Sequence, residues 1–214
     1  MNENKNSEIE ILSLNPIRLH PQLYFSDFTS QGLSQFITEI VKHFIDPKFA
    51  NLCNRVEISV QLDSSVVIID DGKGLPYTLL NPEEIETSGL EKIMTTIYPG
   101  ATPSQSEYQN CSFLFNFMGP LLNAFSELLV VETTVNKNRY TLTCGRGEVI
   151  KPLQNLGFTH EKGTKIYFHP DPSIWSTVNL DIEFLINSLI QLANEYPKIG
   201  IVIENKKIGE TFNF

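Results

Sequence analysis

The apolar run Val66-Val67-Ile68-Ile69 leads directly into Asp70-Asp71-Gly72-Lys73-Gly74-Leu75-Pro76. A carboxylate placed where a strand leaves the core can accept a hydrogen bond from an exocyclic amine such as adenine's. Gly72 and Gly74 would let the backbone approach such a ligand closely. The same residues also fit a β-hairpin, because Asp-Gly is a favoured type I′ turn. Four consecutive β-branched residues predict a strand buried on both faces. Earlier in the chain, Glu39 lies amid apolar neighbours. Given suitable burial it could orient and deprotonate a water; otherwise it is a solvated position on a polar helix face. His43 falls one helical turn beyond Glu39 on the same side. The two could flank a metal–phosphate site, or form a surface ion pair. Gly163-Thr164-Lys165-Ile166-Tyr167-Phe168 is a glycine entering an alternating strand, and Thr164 could hydrogen-bond a pocket ligand or serve ordinary turn chemistry. His20, His43, His160 and His169 show no metal-ligand spacing. There is no Gly-Lys-Ser/Thr phosphate loop and no dinucleotide fingerprint.

The elements that must position these residues follow from periodicity. Residues 32–44 predict a helix, with Leu33, Phe36, Ile37, Ile40, Val41 and Phe44 on one face and Pro47 ending or bending it. Residues 55–62 alternate as a strand and turn through Asp63-Ser64-Ser65 into 66–69, a predicted hairpin. An acidic irregular stretch at 81–88 precedes a helix over 89–98 and a loop over 99–106. Residues 117–128 predict a second apolar helix with Pro120 in its first turn. Further strands are predicted at 130–135, 139–144, 165–168 and 200–204, and a helix at 184–195. No internal repeat or domain linker is visible. The pattern is α+β, an α/β sandwich in which helices cover a mixed, mostly antiparallel sheet.

The 214 residues are 41% hydrophobic and 10% aromatic, enough for one large core. Residues 1–8 read as a flexible arm and 9–214 as the domain. A net charge of -9 repels phosphate backbones, so DNA contact would have to come through further domains or a partner subunit. Cys53, Cys111 and Cys144 fit neither a disulfide framework nor a zinc site. No signal peptide or membrane-spanning run is visible, and a cytoplasmic protein is expected.

Taken together and in order, these features resemble the nucleotide-binding domain of the GHKL ATPases, and within them the N-terminal domain of the B subunit of DNA gyrase and topoisomerase IV. His20-Pro21-Gln22-Leu23-Tyr24-Phe25 is similar to that subfamily's opening motif, and 32–41 to its catalytic helix. Asp70 to Pro76 resembles the adenine-binding motif almost residue for residue. Ile93-Met94-Thr95-Thr96-Ile97-Tyr98-Pro99-Gly100 resembles the helix leading into the ATP lid, and Asn123-Ala124-Phe125-Ser126 and 163–171 complete the series. The resemblance covers residues 9–214 and implies the Bergerat fold, ATP and Mg2+ as cofactors, and ATP-driven homodimerisation through the N-terminal arm. It also implies roles. Asp70 would bind the adenine amino group with a water held by Thr164, Gly74 would approach the nucleotide, and Ile68, Leu75, Pro76 and Ile166 would line the base pocket. Glu39 would be the general base, and Glu39 and His43 would stand at the metal.

The chain also departs from that pattern. His43 stands where the family has a magnesium-binding Asn, and imidazole is a poor magnesium ligand. The stretch Ser112-Phe113-Leu114-Phe115-Asn116-Phe117-Met118 aligns with a glycine-rich phosphate-wrapping box yet contains no glycine. Pro47 replaces a Glu, and Thr141 falls where a pocket Arg is expected. Residues 200–214 resemble the strand handing over to a transducer domain that would supply a catalytic Lys; that domain and the DNA-cleavage domains lie outside this sequence. Two expectations follow: an ATPase module of a divergent type II topoisomerase subunit, or a non-catalytic interaction module with weak or no nucleotide binding.

Overall fold

A computed structural model describes residues 14–45, 53–75, 89–97 and 118–214. The strands are β1 (Arg55–Val60), β2 (Val66–Asp70), β3 (Ser126–Val135), β4 (Asn138–Gly145), β5 (Glu148–Phe158), β6 (Thr164–Pro170), β7 (Gly200–Asn205) and β8 (Glu210–Asn213). The helices are α1 (Asn15–Leu19), α2 (Ser30–Ile45), α3 (Gly89–Thr95), α4 (Gly119–Ala124) and α5 (Ile182–Glu195). The strands form a single sheet in the order β5-β4-β3-β6-β2-β1-β7-β8. Every neighbouring pair is antiparallel except β1 and β7, which run parallel. This is the mixed, mostly antiparallel α+β architecture expected from the sequence.

Helices cover one face. On α2, Leu33, Phe36, Ile37, Ile40, Val41 and Phe44 are all buried, and they share one core with Val56, Ile58, Ile68, Ile166 and Phe168 of the sheet. Burying that apolar stripe is what holds the helix, since an isolated helix of this length is marginal in water. Asp181 caps α5 by accepting from the Phe184 N–H at 3.0 Å, and its carbonyl accepts from the Ser34 hydroxyl at 2.9 Å, tying α5 to α2. At one end of the core, Phe25, Phe28, Phe36 and Phe125 surround Trp175, whose indole N–H donates to the Phe125 carbonyl at 3.0 Å.

The opposite face bears Arg55, Glu57, Lys165 and Tyr167 and carries no helix among the described residues. It corrects one expectation. β2 is buried on one face only, with Ile69 39% exposed, because a β-branched run reports strand propensity rather than the number of covered faces. Residues 71–75 do not close an Asp-Gly hairpin either, since β2 pairs with β1 and β6.

The predicted helix over 117–128 stops at Ala124. The Phe125 carbonyl accepts from the Trp175 indole and the Asp171 N–H instead, and Ser126 already begins β3. The run 126–129 fits either period, and tertiary pairing decides. Two strands escape the sequence reading. β5 is an exposed edge strand with Pro152, Gly157 and several register shifts against β4, and β8 has four residues. Proline and bulges belong on such an edge, where they block pairing with other chains. The expectations for residues 1–8, Pro47, Pro76, 81–88, 99–106, Cys111 and the aromatics at 113, 115 and 117 lie outside the described residues.

Arg18 ties the opening of the domain to its core. It donates to the Ala124 carbonyl at 2.6 Å and to the fully buried Asp171 at 2.7 Å. Burial pushes the Asp171 carboxyl up, but the Ser173 N–H and hydroxyl, and then Arg18, outweigh it and hold it below the ordinary range. A depressed native pKa contributes stability that is present above the unfolded value and lost as pH falls through the native one. Urea denaturation between about pH 5 and 2 should therefore show an acid limb in the wild type that Asp171→Asn flattens. An unchanged limb would place the acid sensitivity elsewhere.

Candidate functional site

Asp70 ends β2 in the middle of the sheet and is 2% exposed. One carboxylate oxygen accepts from the Gly72 N–H at 2.7 Å, and the other from the Thr164 N–H at 3.0 Å. Two backbone donors thus fix its orientation. Gly163 lies against it with φ +85; a Cβ there would run into the Asp70 carbonyl oxygen and stand 3.1 Å from the carboxylate. Only glycine provides both that φ and that clearance.

Thr164 is equally buried, and among the described residues its hydroxyl oxygen has no hydrogen-bond partner. A buried hydroxyl left unsatisfied costs about 1–3 kcal/mol, so this one points to a water or ligand that completes it. Ile68 and Ile166 face each other across the β2–β6 ladder, and Leu75 joins them, all buried. Gly74 reaches φ +79 and presses its backbone against the carbonyl of Thr134. The arrangement is an acceptor and an adjacent donor–acceptor hydroxyl set among apolar walls. It suits the amine and ring nitrogen of adenine.

Two contributors carry no signature in the sequence. Thr133 of β3 accepts from the Leu75 N–H at 2.6 Å and donates to the Leu75 carbonyl at 3.2 Å, which fixes the wall behind Gly74. A threonine in a β-branched strand looks like strand chemistry. Asp71 turns away from the site and accepts from the Asn54 and Arg55 N–H groups at 2.7 and 2.9 Å, anchoring the start of β1. Of the paired carboxylates, therefore, one belongs to the site and one to the scaffold.

Glu39 and His43 share α2. Glu39 is half-buried and His43 is 8% exposed, so neither lies on a fully solvated helix face. The Cys53 thiol donates to the Phe44 carbonyl at 3.1 Å. Burial first, then the charges of Asp70 and Asp71, push that thiol up to about 12. The last turn of α2 therefore ends beside the loop that carries Asp70. Cys144 is likewise pushed up to about 12, by burial and then by Glu91, so neither thiol is nucleophilic at neutral pH.

The Thr164 hydroxyl, without a hydrogen-bond partner among the described residues, suits a ligand of adenine's chemistry. The magnesium end does not fit. Among the described residues no group of three or more His, Cys, Asp or Glu could hold a metal ion. The position one turn beyond Glu39 offers a nitrogen where magnesium prefers oxygen. An open cleft of about 630 Å3 on the helix-free face, lined by Val67, Val130, Glu132, Lys165 and Tyr167, involves none of the predicted site residues. No helix among the described residues is long and apolar enough to cross a membrane.

No protein-family model matches the chain. It is similar to the DNA gyrase B protein of Chlamydia pneumoniae, 32% identical over 206 residues, covering 94% of this chain and 26% of that protein. The DNA gyrase B protein of Clostridium acetobutylicum is 31% identical over 211 residues, 97% of this chain and 33% of the relative. The chain therefore spans about a quarter to a third of the length of these relatives. Among solved structures, the 43K ATPase domain of Thermus thermophilus gyrase B, in complex with an aminocoumarin, matches with a TM-score of 0.77 at 25% identity. That match covers 94% of this chain and 50% of the other. With sheet order, site geometry and likeness over nearly the whole sequence in agreement, the chain belongs to the GHKL ATPase family, in the branch of the gyrase B ATPase domain.

Proposed function

We propose that this chain is an ATP-binding module of the kind that gyrase B proteins carry, with Asp70 anchoring the adenine amino group. The observation that carries the reading is the fixed Asp70 carboxylate beside the partnerless Thr164 hydroxyl. Ile68, Leu75 and Ile166 form the apolar walls, and Gly74 brings the backbone close. Glu39 is the general base for the water that attacks the γ-phosphate. Its place on α2, whose end adjoins the Asp70 loop, supports that role. In a full-length assembly the module would pair with a second copy through the N-terminal arm, and would act on DNA only through other domains or a partner subunit.

A second reading, a non-catalytic module that keeps only the base pocket, is favoured by His43 at the metal position. Phosphate release separates the two. If the module hydrolyses ATP, Glu39→Gln lowers the rate by about 100-fold or more, the usual contribution of a positioned base. A slow wild-type rate that Glu39→Gln leaves unchanged is background, and would leave nucleotide binding as the whole function.

A further inference from the structure

We propose that nucleotide binding by this chain does not depend on magnesium, and that affinity is set at the base end rather than by the phosphates. This selectivity rests on the adenine-site reading and adds to it. The base end is built: a doubly held carboxylate, a buried hydroxyl in need of a partner, and apolar walls in register. Among the described residues the cation end is poor in oxygen ligands. On α2 the position one turn past Glu39 is His43, buried at 8% exposure. Magnesium demands near-octahedral oxygen coordination at about 2.0–2.1 Å and sheds water reluctantly, so an imidazole there does not recruit it.

The Thr38 hydroxyl donates to the Ser34 carbonyl at 2.9 Å, and the Ser34 hydroxyl donates to the Asp181 carbonyl at 2.9 Å, which holds both side chains along α2. Glu39 is then the one carboxylate that α2 offers. The charge of the chain, -9, adds long-range repulsion that grows with each phosphate of the ligand. Extra phosphates therefore bring no gain in affinity, and among the described residues of α2 magnesium finds a single carboxylate, Glu39, through which to supply one.

The test is calorimetric titration of the whole chain with adenosine, ADP and a non-hydrolysable ATP analogue, each in magnesium and in EDTA. The three affinities should agree within about threefold, and magnesium should change the analogue's affinity by less than about twofold. His43→Asn, which supplies an oxygen donor, should create a magnesium-dependent gain of about tenfold for the analogue. A wild-type analogue affinity at least tenfold tighter in magnesium would overturn the proposal while leaving the adenine site intact. Absence of adenosine binding would instead remove the adenine-site reading, and this inference with it. The wild-type ratios decide the matter even if the variant does not fold.

Discussion

Asp70→Asn weakens adenosine binding by about 10- to 100-fold and destabilises the fold by about 1–3 kcal/mol. Both effects come from one change of chemistry. Each carboxylate oxygen accepts from a buried backbone N–H, of Gly72 on one side and Thr164 on the other. An asparagine amide can accept on one side only, so in either orientation its NH2 meets an N–H and a buried donor is left unsatisfied. The ligand loses a charge-assisted acceptor at the same time, worth roughly 1.5–3 kcal/mol. Thr164→Val separates the site from the scaffold. It removes a hydroxyl that has no protein partner among the described residues and keeps the volume, so stability should hold or rise by about 1 kcal/mol while adenosine affinity falls. Calorimetry and urea denaturation read the two quantities independently. Asp70→Asn binding adenosine like the wild type would dismiss this pocket as the base site.

Much of that pocket is legible in the sequence because each part has a local cause. The strand before Asp70, the glycines after it and the Gly163-Thr164 entry into β6 all read directly from residue type. The apolar face of α2 falls at helical spacing, and all six predicted residues are buried. What sequence cannot supply is the assignment of near-identical neighbours. Asp70 and Asp71 are adjacent carboxylates, and only the pairing of β2 with β1 sends one to the site and the other to the N–H groups of Asn54 and Arg55. Thr133 acquires its role only because β3 lies beyond β6 and brings its hydroxyl to the Leu75 backbone. The early end of α4 has the same origin. Its continuation is locally acceptable, but the Phe125 carbonyl finds partners in Trp175 and Asp171 far along the chain. Edge strand β5 escapes such a reading because its composition answers mostly to solvent, with pairing on one side only and few side chains, Leu153 among them, turned to the core.

Two glycines with the same backbone strain should respond very differently to alanine. Gly157 and Gly163 have φ +93 and +85, so a side chain at either costs about 1–2 kcal/mol for the left-handed conformation. At Gly157, on the exposed edge strand, a Cβ would meet nothing within 4 Å, and the strain is the whole effect. At Gly163 the Cβ would collide with the carbonyl oxygen of Asp70, and backbone in a sheet centre cannot step aside as a flexible side chain does. Gly163→Ala should therefore lose roughly 4 kcal/mol or more, against about 1–2 for Gly157→Ala. Urea denaturation followed by the fluorescence of the chain's single tryptophan, Trp175, would measure both. The functional consequence differs as well. Any relief of the collision moves residue 163 away from Asp70 and carries the Thr164 N–H with it, since the two are adjacent and that N–H holds the carboxylate at 3.0 Å. Gly163→Ala should then lose adenosine binding even in the fraction that folds, whereas Gly157→Ala should bind like the wild type. Equal losses of stability in the two variants would show that the strand end can relax around a side chain. The tight seat of Gly163 against Asp70 would then not be what fixes the carboxylate.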